Sequence, residues 1–264
     1  MSKSPAICIA SDLHVNSLVG LWPPSFQLED GGEYKPNRFQ DWLWRNWLDS
    51  IKKIPKGVIV VLNGDIVEGI HANRDTSVVT ASAKDMRRAA VAVLEPLAAR
   101  ASKLYVVRGT DYHGGVTEGD TETVAEALDA VKDKDTGQYS TWELWLEHEG
   151  KVFNFAHSIS VAPVYPMTPM ARVMMDAKIS AVDCGWPMPD CIVRSHRHQH
   201  KQYPDGRRWV LVTPGWQLKT AYIWKKKPDS LPSIGSLVIR IERDEIRPDF
   251  VLYPLPKPVV HKVD

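Results

Sequence analysis

The chain has 264 residues, 44% hydrophobic and 25% charged, which is enough apolar content for a packed core and ordinary for a globular protein. Lys and Arg (33) nearly cancel Asp and Glu (32), so composition gives no general attraction to nucleic acid, although it leaves room for a local basic patch. Three cysteines without a CxxC pair exclude a disulfide framework, and no window approaches the roughly 18 uninterrupted apolar residues of a membrane span.

The first apolar run, "AICIASDLH" (6–14), predicts a strand ending in Asp12 and His14, with Cys8 as a small core residue. Two positions apart, Asp12 and His14 can point to one side of an extended segment. A Gly- and Pro-rich insert, 18–38, comes next and is expected to overhang the strand end. Residues 37–54 predict a helix that places Phe39, Leu43, Trp47 and Ile51 on or near one packing face. Base stacking is the alternative use of its Trp42, Trp44 and Trp47. "GVIVVLNGD" (57–65) is a second strand, turning at Gly64 into Asp65. A helix over 77–101 should be kinked or divided by Pro96. "LYVVRGTDYH" (104–113) is a third strand, followed by Asp111 and His113. A helix over 120–131 takes Asp120 as its N-cap.

The second half is richer in strands. Residues 141–157 read as a hairpin turning at Glu149–Gly150 and ending in His157. "DCIVRSHRH" (190–198) is a strand that runs into His196 and His198. Two more hairpins are expected at 200–215, turning at Pro204–Asp205–Gly206, and at 236–253. This order predicts an α/β layered fold. No repeat, low-complexity tract or linker interrupts it, so 1–264 is expected to form a single domain.

Taken singly, these polar residues mean little. A lone D-x-H is mostly chance, a Gly-Asp after a strand is mostly a turn, and one His can be a hydrogen-bonded core residue. Together they differ from chance, because five strand candidates deliver Asp or His at the same end, where open α/β sheets bind ligands. Carboxylates and imidazoles without a thiolate form a ligand set that Mn, Fe or Zn accepts.

The order "SDLH" (11–14), "NGD" (63–65), "RGTDYH" (108–113), "FAH" (155–157) and "SHRH" (195–198) resembles the calcineurin-like metallophosphoesterase superfamily. The resemblance implies a four-layer sandwich of two mixed β-sheets flanked by α-helices. It also implies two divalent metal ions, with Mn2+ the first choice and Fe, Zn or Ni compatible. Asp12, His14, Asp65 and His198 would hold one metal; Asp65, His157 and His196 would hold the other, with Asp65 bridging. His200 has no counterpart.

Two departures stand out. Where the family has Gly-Asn-His, this chain has Gly109, Thr110, Asp111, Tyr112 and His113. Asp111 is expected to replace the Asn as a ligand and His113 to keep the acid role; alternatively, Thr110 takes the position behind the metals. Ser195 replaces the Gly of G-H-x-H. The implied chemistry is phosphoester hydrolysis by a hydroxide held between the metals, with no covalent enzyme intermediate. Asp65 and His113 are its catalytic residues, and a carboxylate such as Asp12 keeps His113 protonated.

Asn63, Arg197 and His71 are candidate phosphate contacts, and Asn73, Arg74 and Lys225–Lys227 could meet a phosphate backbone. The protein-phosphatase extension G-D-x-x-D-R-G is absent from "GDIVEGIHANRD". A phosphodiesterase or nuclease is therefore expected, with DNA or RNA as the partner. The Trp-rich opening and the insert also look like phage-encoded members. A nucleotidase or small phosphomonoesterase, and a non-catalytic metal-binding scaffold, stand as alternatives. The opening residues lack a signal-peptide pattern, so the expected compartment is the cytoplasm.

Overall fold

The computed structural model describes residues 6–70, 77–114, 118–160, 165 and 167–261. Among these residues the first large sheet has the order β13 (Glu245–Tyr253), β12 (Ile234–Glu242), β1 (Ala6–Ala10), β4 (Val58–Asn63), β5 (Ala101–Val107) and β6 (Ser140–Thr141). The second has the order β10 (Lys201–Asp205), β11 (Arg208–Val212), β9 (Cys191–Arg194), β8 (Lys151–Ala156) and β7 (Glu143–His148). Both sheets are mixed. β1, β4, β5 and β6 are parallel, as are β8, β9 and β11, and the outer hairpin strands are antiparallel.

Strand alternation assigns each apolar side chain to a layer. Ile7 and Ile9 of β1, with Ile59 and Val61 of β4, face Phe153, Phe155 and Val193 of the second sheet. Cys8, Ala10, Val60 and Leu62 face the other way, onto helices. A strand buried on both faces reads as an unbroken apolar run, which is why these segments stand out in the sequence.

The outer face of the first sheet is covered by α1 (Arg38–Lys53), α2 (Ala83–Ala98) and α4 (Gly119–Ala127). That of the second sheet carries Ile192, Val210 and Val212 against Met170 and Met174 of α5 (Thr168–Cys184). The chain thus adopts the four-layer α/β sandwich that the motifs imply. No helix among the described residues is long and apolar enough to cross a membrane.

In α1, Leu43, Trp47 and Ile51 are buried, and Trp47 Nε1 donates to the Val93 carbonyl at 2.9 Å. The helix tryptophans therefore serve packing. Asn37 caps α1 in a reciprocal box with Gln40.

Several expectations are corrected. The helix expected over 77–101 begins at Ala83, capped by Ser82, and Pro96 lies in its last turn without dividing it. Asp120 is not a cap; it sits inside α4 and pairs with Arg87 at 2.8 Å. The insert contributes no described residue to the lining of the cleft at the strand ends. Its Leu21, Trp22 and Phe26 enter the core beneath α1 and α2, and a small hairpin of β2 (Phe26–Gln27) and β3 (Glu33–Tyr34) leads to Glu29 contacts with Lys84 and Asp85 of α2.

α5 was not expected. Its outer residues Met175, Ile179 and Val182 are exposed, so the segment lacks the polar face that marks an amphipathic helix. The three expected hairpins form, and Glu149–Gly150 and Arg243–Asp244 supply paired positive φ angles at two of the turns. The turn expected at Pro204–Asp205–Gly206 is shifted, because Pro204 and Asp205 pair with Trp209 and Arg208 within the ladder and Gly206–Arg207 make the turn.

Candidate metal centre

The carboxyl ends of β1, β4, β5, β8 and β9 meet at one side of the sandwich, and the polar residues that follow these strands converge there. Asp12 and His14 do not lie on an extended segment, as the sequence suggested. Their φ angles are 52° and 44°, and Asp65 (50°), His196 (71°) and His198 (49°) also occupy the left-handed region. Each such non-glycine conformation costs on the order of 1–3 kcal/mol and persists only where the surroundings over-determine it. Here Asp12 N donates to Gly64 O at 3.0 Å, His14 N to Asp65 O at 3.1 Å and Trp216 N to Asp12 O at 2.9 Å.

Each central carboxylate has one oxygen anchored and one turned toward the histidines. Asp12 Oδ2 accepts from Ser11 Oγ at 2.7 Å and His196 N at 3.3 Å. Its Oδ1 is buried without a hydrogen bond, 3.3 Å from His198 Nε2 and 3.9 Å from His157 Nε2. Asp65 Oδ1 accepts from Thr110 N at 2.8 Å and Thr110 Oγ1 at 3.1 Å. Its Oδ2 faces His157 Nε2 at 2.9 Å, His113 Nε2 and His196 Nδ1 at 3.8 Å, and His14 Nε2 at 4.0 Å.

The histidines are oriented in the same way. His157 Nδ1 donates to the Asn63 carbonyl at 2.8 Å, which turns Nε2 inward, where it makes no hydrogen bond despite its closeness to Asp65. His14 Nδ1 donates to Glu68 Oε2 at 2.7 Å, and its Nε2 lies 3.2 Å from His198 Nε2. Two ring nitrogens this close need a proton or a cation between them. Potential ligand atoms of Asp12, His14 and His198 converge in one group, and those of Asp65, His157 and His196 in another. Buried carboxylate oxygen and imidazole nitrogen that make no hydrogen bond yet are aimed at a common space fit divalent cations, with ring orientation set from behind.

The charges reinforce one another. Burial would raise the Asp12 carboxyl, but His198 and His157 outweigh it and hold the pKa at about 2. Burial likewise opposes ionisation of Asp65, yet His157, His196 and His113 keep it well below the usual carboxylate range. Burial would lower His157, but the Asp65 and Asp12 carboxylates raise it to about 10.

Glu68 escaped the sequence reading. It is buried, and its two oxygens accept from His14 Nδ1 at 2.7 Å and from His113 Nδ1 at 3.1 Å. Against its own burial, His113 and His14 hold Glu68 at about 2. Burial would lower His113, but Glu68 and Asp65 together outweigh it and raise that imidazole. The carboxylate behind His113 is thus Glu68, in place of the expected Asp12. A second buried acid, Glu118, accepts from Gly109 N at 3.2 Å and Thr121 Oγ1 at 2.6 Å, steadying the loop that holds Asp65. The position of Glu68 three residues after Asp65 was the one available signal; for Glu118 there was none.

The structure does not bring Asp111 into either group. It is exposed at the start of the short helix α3 (Asp111–Gly114), while Thr110 supports Asp65 from behind. Asn63 is fully buried, and its amide donates to Ser195 Oγ at 2.6 Å, so it is placed behind the site and away from any substrate. Ser195 also accepts from Thr213 Oγ1 at 2.8 Å, which gives its hydroxyl a use that glycine could not fill. Arg197 and His113 line the cleft above the centre. His200 points away and contacts Ser233 Oγ at 2.9 Å. His71, Asn73 and Arg74 lie outside the described residues.

Two glycines permit this packing. A Cβ on Gly64 would come within 2.3 Å of His157 Nδ1, and one on Gly109 within 2.2 Å of Asp65 Oδ1. Gly109→Ala is therefore expected to destabilise the metal-free protein by about 1–3 kcal/mol. Weakening of divalent-ion affinity by about tenfold or more should accompany it. Thermal melts and calorimetric titration with Mn2+ check both effects.

In fold and in motif order the chain is like the calcineurin-like metallophosphoesterases. No family model matches it, and no curated protein does. Solved structures do match. A novel archaeal phosphodiesterase is 11% identical with a TM-score of 0.46, over 93% of this chain and 99% of its own. Vps29 of Entamoeba histolytica complexed with Zn2+ is 11% identical with a TM-score of 0.40, over 94% and 98%. A predicted phosphoesterase of Streptococcus pneumoniae is 12% identical with a TM-score of 0.42, over 96% and 95%. These matches do not bear on a phage origin.

Proposed function

We propose that this chain is a calcineurin-like metallophosphoesterase that hydrolyses phosphodiesters with two divalent cations. The observation that carries this reading is the convergence of Asp65 Oδ2 with four histidine nitrogens within 4.0 Å, beside Asp12 Oδ1, which is buried and makes no hydrogen bond. Asp12, His14 and His198 would hold one cation, His157 and His196 the other, and Asp65 both. Mn2+ is the first choice that the family resemblance implies, and a set mixing carboxylate oxygen with imidazole is compatible with Fe, Zn or Ni as well. When bound, such a pair binds phosphoryl oxygens, offsets charge developing in the transition state and lowers the pKa of water.

The chain's own groups supply the rest. Glu68 fixes the His113 ring through Nδ1 and favours its protonated form, so Nε2 is placed to give a proton to the departing oxygen. Thr110 keeps Asp65 from rotating. Arg197, which lines the cleft, would grip a non-reacting phosphoryl oxygen. The cleft, about 460 Å³, extends past the histidines to Lys219 and Tyr222, which leaves room for a second ester substituent and favours diesters over monoesters.

The test is turnover of bis-(p-nitrophenyl) phosphate and p-nitrophenyl phosphate by metal-stripped protein reloaded with Mn2+. Metal-dependent turnover favouring the diester is expected. A preference for the monoester would point to a nucleotidase, and no turnover with two metals bound would point to a scaffold.

A further expectation needs no substrate. His157 has a pKa of about 10 against 6.5 for the free group, so in metal-free protein it carries a proton at pH 7 that a cation must displace. Mn2+ binding at pH 7 should release at least about one proton per chain, read by calorimetry in buffers of different ionisation enthalpy. The sign for stability follows. The pairing of His157 with Asp65 is fully present below pH 6.5 and is lost as pH rises through about 10, so the metal-free melting temperature should fall across that window.

A further inference from the structure

Above the histidines the cleft changes character. Tyr112, 56% exposed, stands edge-on to the His113 ring with centroids 4.9 Å apart. Tyr222, 55% exposed, enters the same lining from α6 (Ala221–Lys226). Arg197 and Lys219 line the cleft with them, while its acidic residues, Asp65 and Glu68, are buried at the floor and face the histidines. α6 also carries the exposed Trp224, with Lys219 Nζ 4.0 Å from its ring centroid, and ends in Lys225 and Lys226.

One exposed tyrosine is unremarkable on a protein surface. Two on one cleft, with Arg197 and Lys219 beside them and a candidate phosphoryl centre at the floor, combine stacking platforms with basic side chains at the rim. That is the arrangement by which proteins hold unpaired nucleic-acid strands. A duplex hides its base faces in its own stack, whereas a single strand can turn them onto the rings.

We propose that the cleft takes single-stranded nucleic acid. The bases flanking the scissile phosphodiester stack on Tyr112 and Tyr222, Arg197 grips a non-reacting oxygen of the scissile phosphate, and Lys219 meets an adjoining phosphate. The assignment rests on the phosphodiesterase reading and narrows its substrate class.

The test separates the two. Binding of fluorescein-labelled oligo-dT and oligo-U, each of about eight nucleotides, is measured by anisotropy on metal-free wild type and on Tyr112→Leu, Tyr222→Leu and the matching Phe variants. Each Leu variant should weaken binding at least about fivefold, because stacking of a base on an aromatic ring is worth that much or more, and the Phe variants should bind like wild type. In Mn2+-loaded protein, the kcat/KM for oligonucleotide relative to that for methyl p-nitrophenyl phosphate should fall by the same factor in the Leu variants. The dT and U arms show which sugar is preferred.

Leu variants that bind like wild type, or a duplex bound as tightly as a single strand, overturn the assignment. Turnover of the small diester without oligonucleotide binding overturns it while the phosphodiesterase reading survives. Tyrosine-dependent oligonucleotide binding without turnover of any diester does the reverse.

Discussion

Asp65→Asn is expected to remove between two and four orders of magnitude of kcat/KM on a diester substrate. Losing a group that merely orients a metal-site histidine costs about 10- to 100-fold. Asp65 serves both candidate cation groups at once, so its loss should compound, each factor of ten being about 1.36 kcal/mol of barrier. The substitution is well chosen because the asparagine Oδ1 can still accept from Thr110 N and Oγ1, so the loop keeps its anchor. What changes is the other atom. An amide nitrogen replaces the carboxylate oxygen that lies 2.9 Å from His157 Nε2 and within 4.0 Å of three more histidine nitrogens. Bound Mn2+, counted by elemental analysis, should fall by at least one ion per chain. Proton release on metal binding should shrink with it, because Asp65 is what raises His157 against its burial. Activity within tenfold of wild type, with the metal count unchanged, would remove Asp65 from the centre.

Glu68→Gln should lower kcat by about 10- to 100-fold, the usual cost of losing the group that orients a metal-site histidine. Glu68 accepts from two imidazoles at once, and a glutamine can offer its single carbonyl oxygen to only one of them. The other ring is left facing an NH2 donor. The pH profile distinguishes a positioning role from general damage. Glu68 raises His113 against burial, so removing the carboxylate lowers that pKa and the acid form disappears at a lower pH. The alkaline limb of the kcat profile should therefore move toward lower pH in Glu68→Gln and stay in place in Glu68→Asp, with KM little changed in either. A reduced kcat with an unmoved alkaline limb would assign His113 another role.

Much of the centre was legible in the sequence. Asp12, His14, Asp65, His157, His196 and His198 each follow an apolar run, and a strand that is buried on both faces announces itself locally. His113 was legible from its order among the motifs. Strand, hairpin and most helix positions followed for the same reason: period, turn residues and caps act over a few residues. Even so, the backbone at Asp12 and His14 was misjudged, because a left-handed turn and an extended segment can both bring residues two apart to one side.

The tertiary structure decided what depends on partners far away in the chain. Glu68 reaches His14 because Val15 and Val67 form a β-bridge and Glu68 N donates to Val15 O at 2.8 Å, a pairing between separate loops that no local pattern records. Asn63 is drawn inward by Ser195, 132 positions later, and so lies behind the centre. Asp111 is turned outward by a one-turn helix, and the insert is held on α2 by Asp85 and Lys84. The sequence by itself therefore determined which residue types arrive at the strand ends, through short-range periodicity. Which of them face one another, which carboxylate backs which imidazole, and that Tyr112 and Tyr222 share a cleft were decided only when the two sheets stacked and closed the contacts between distant loops.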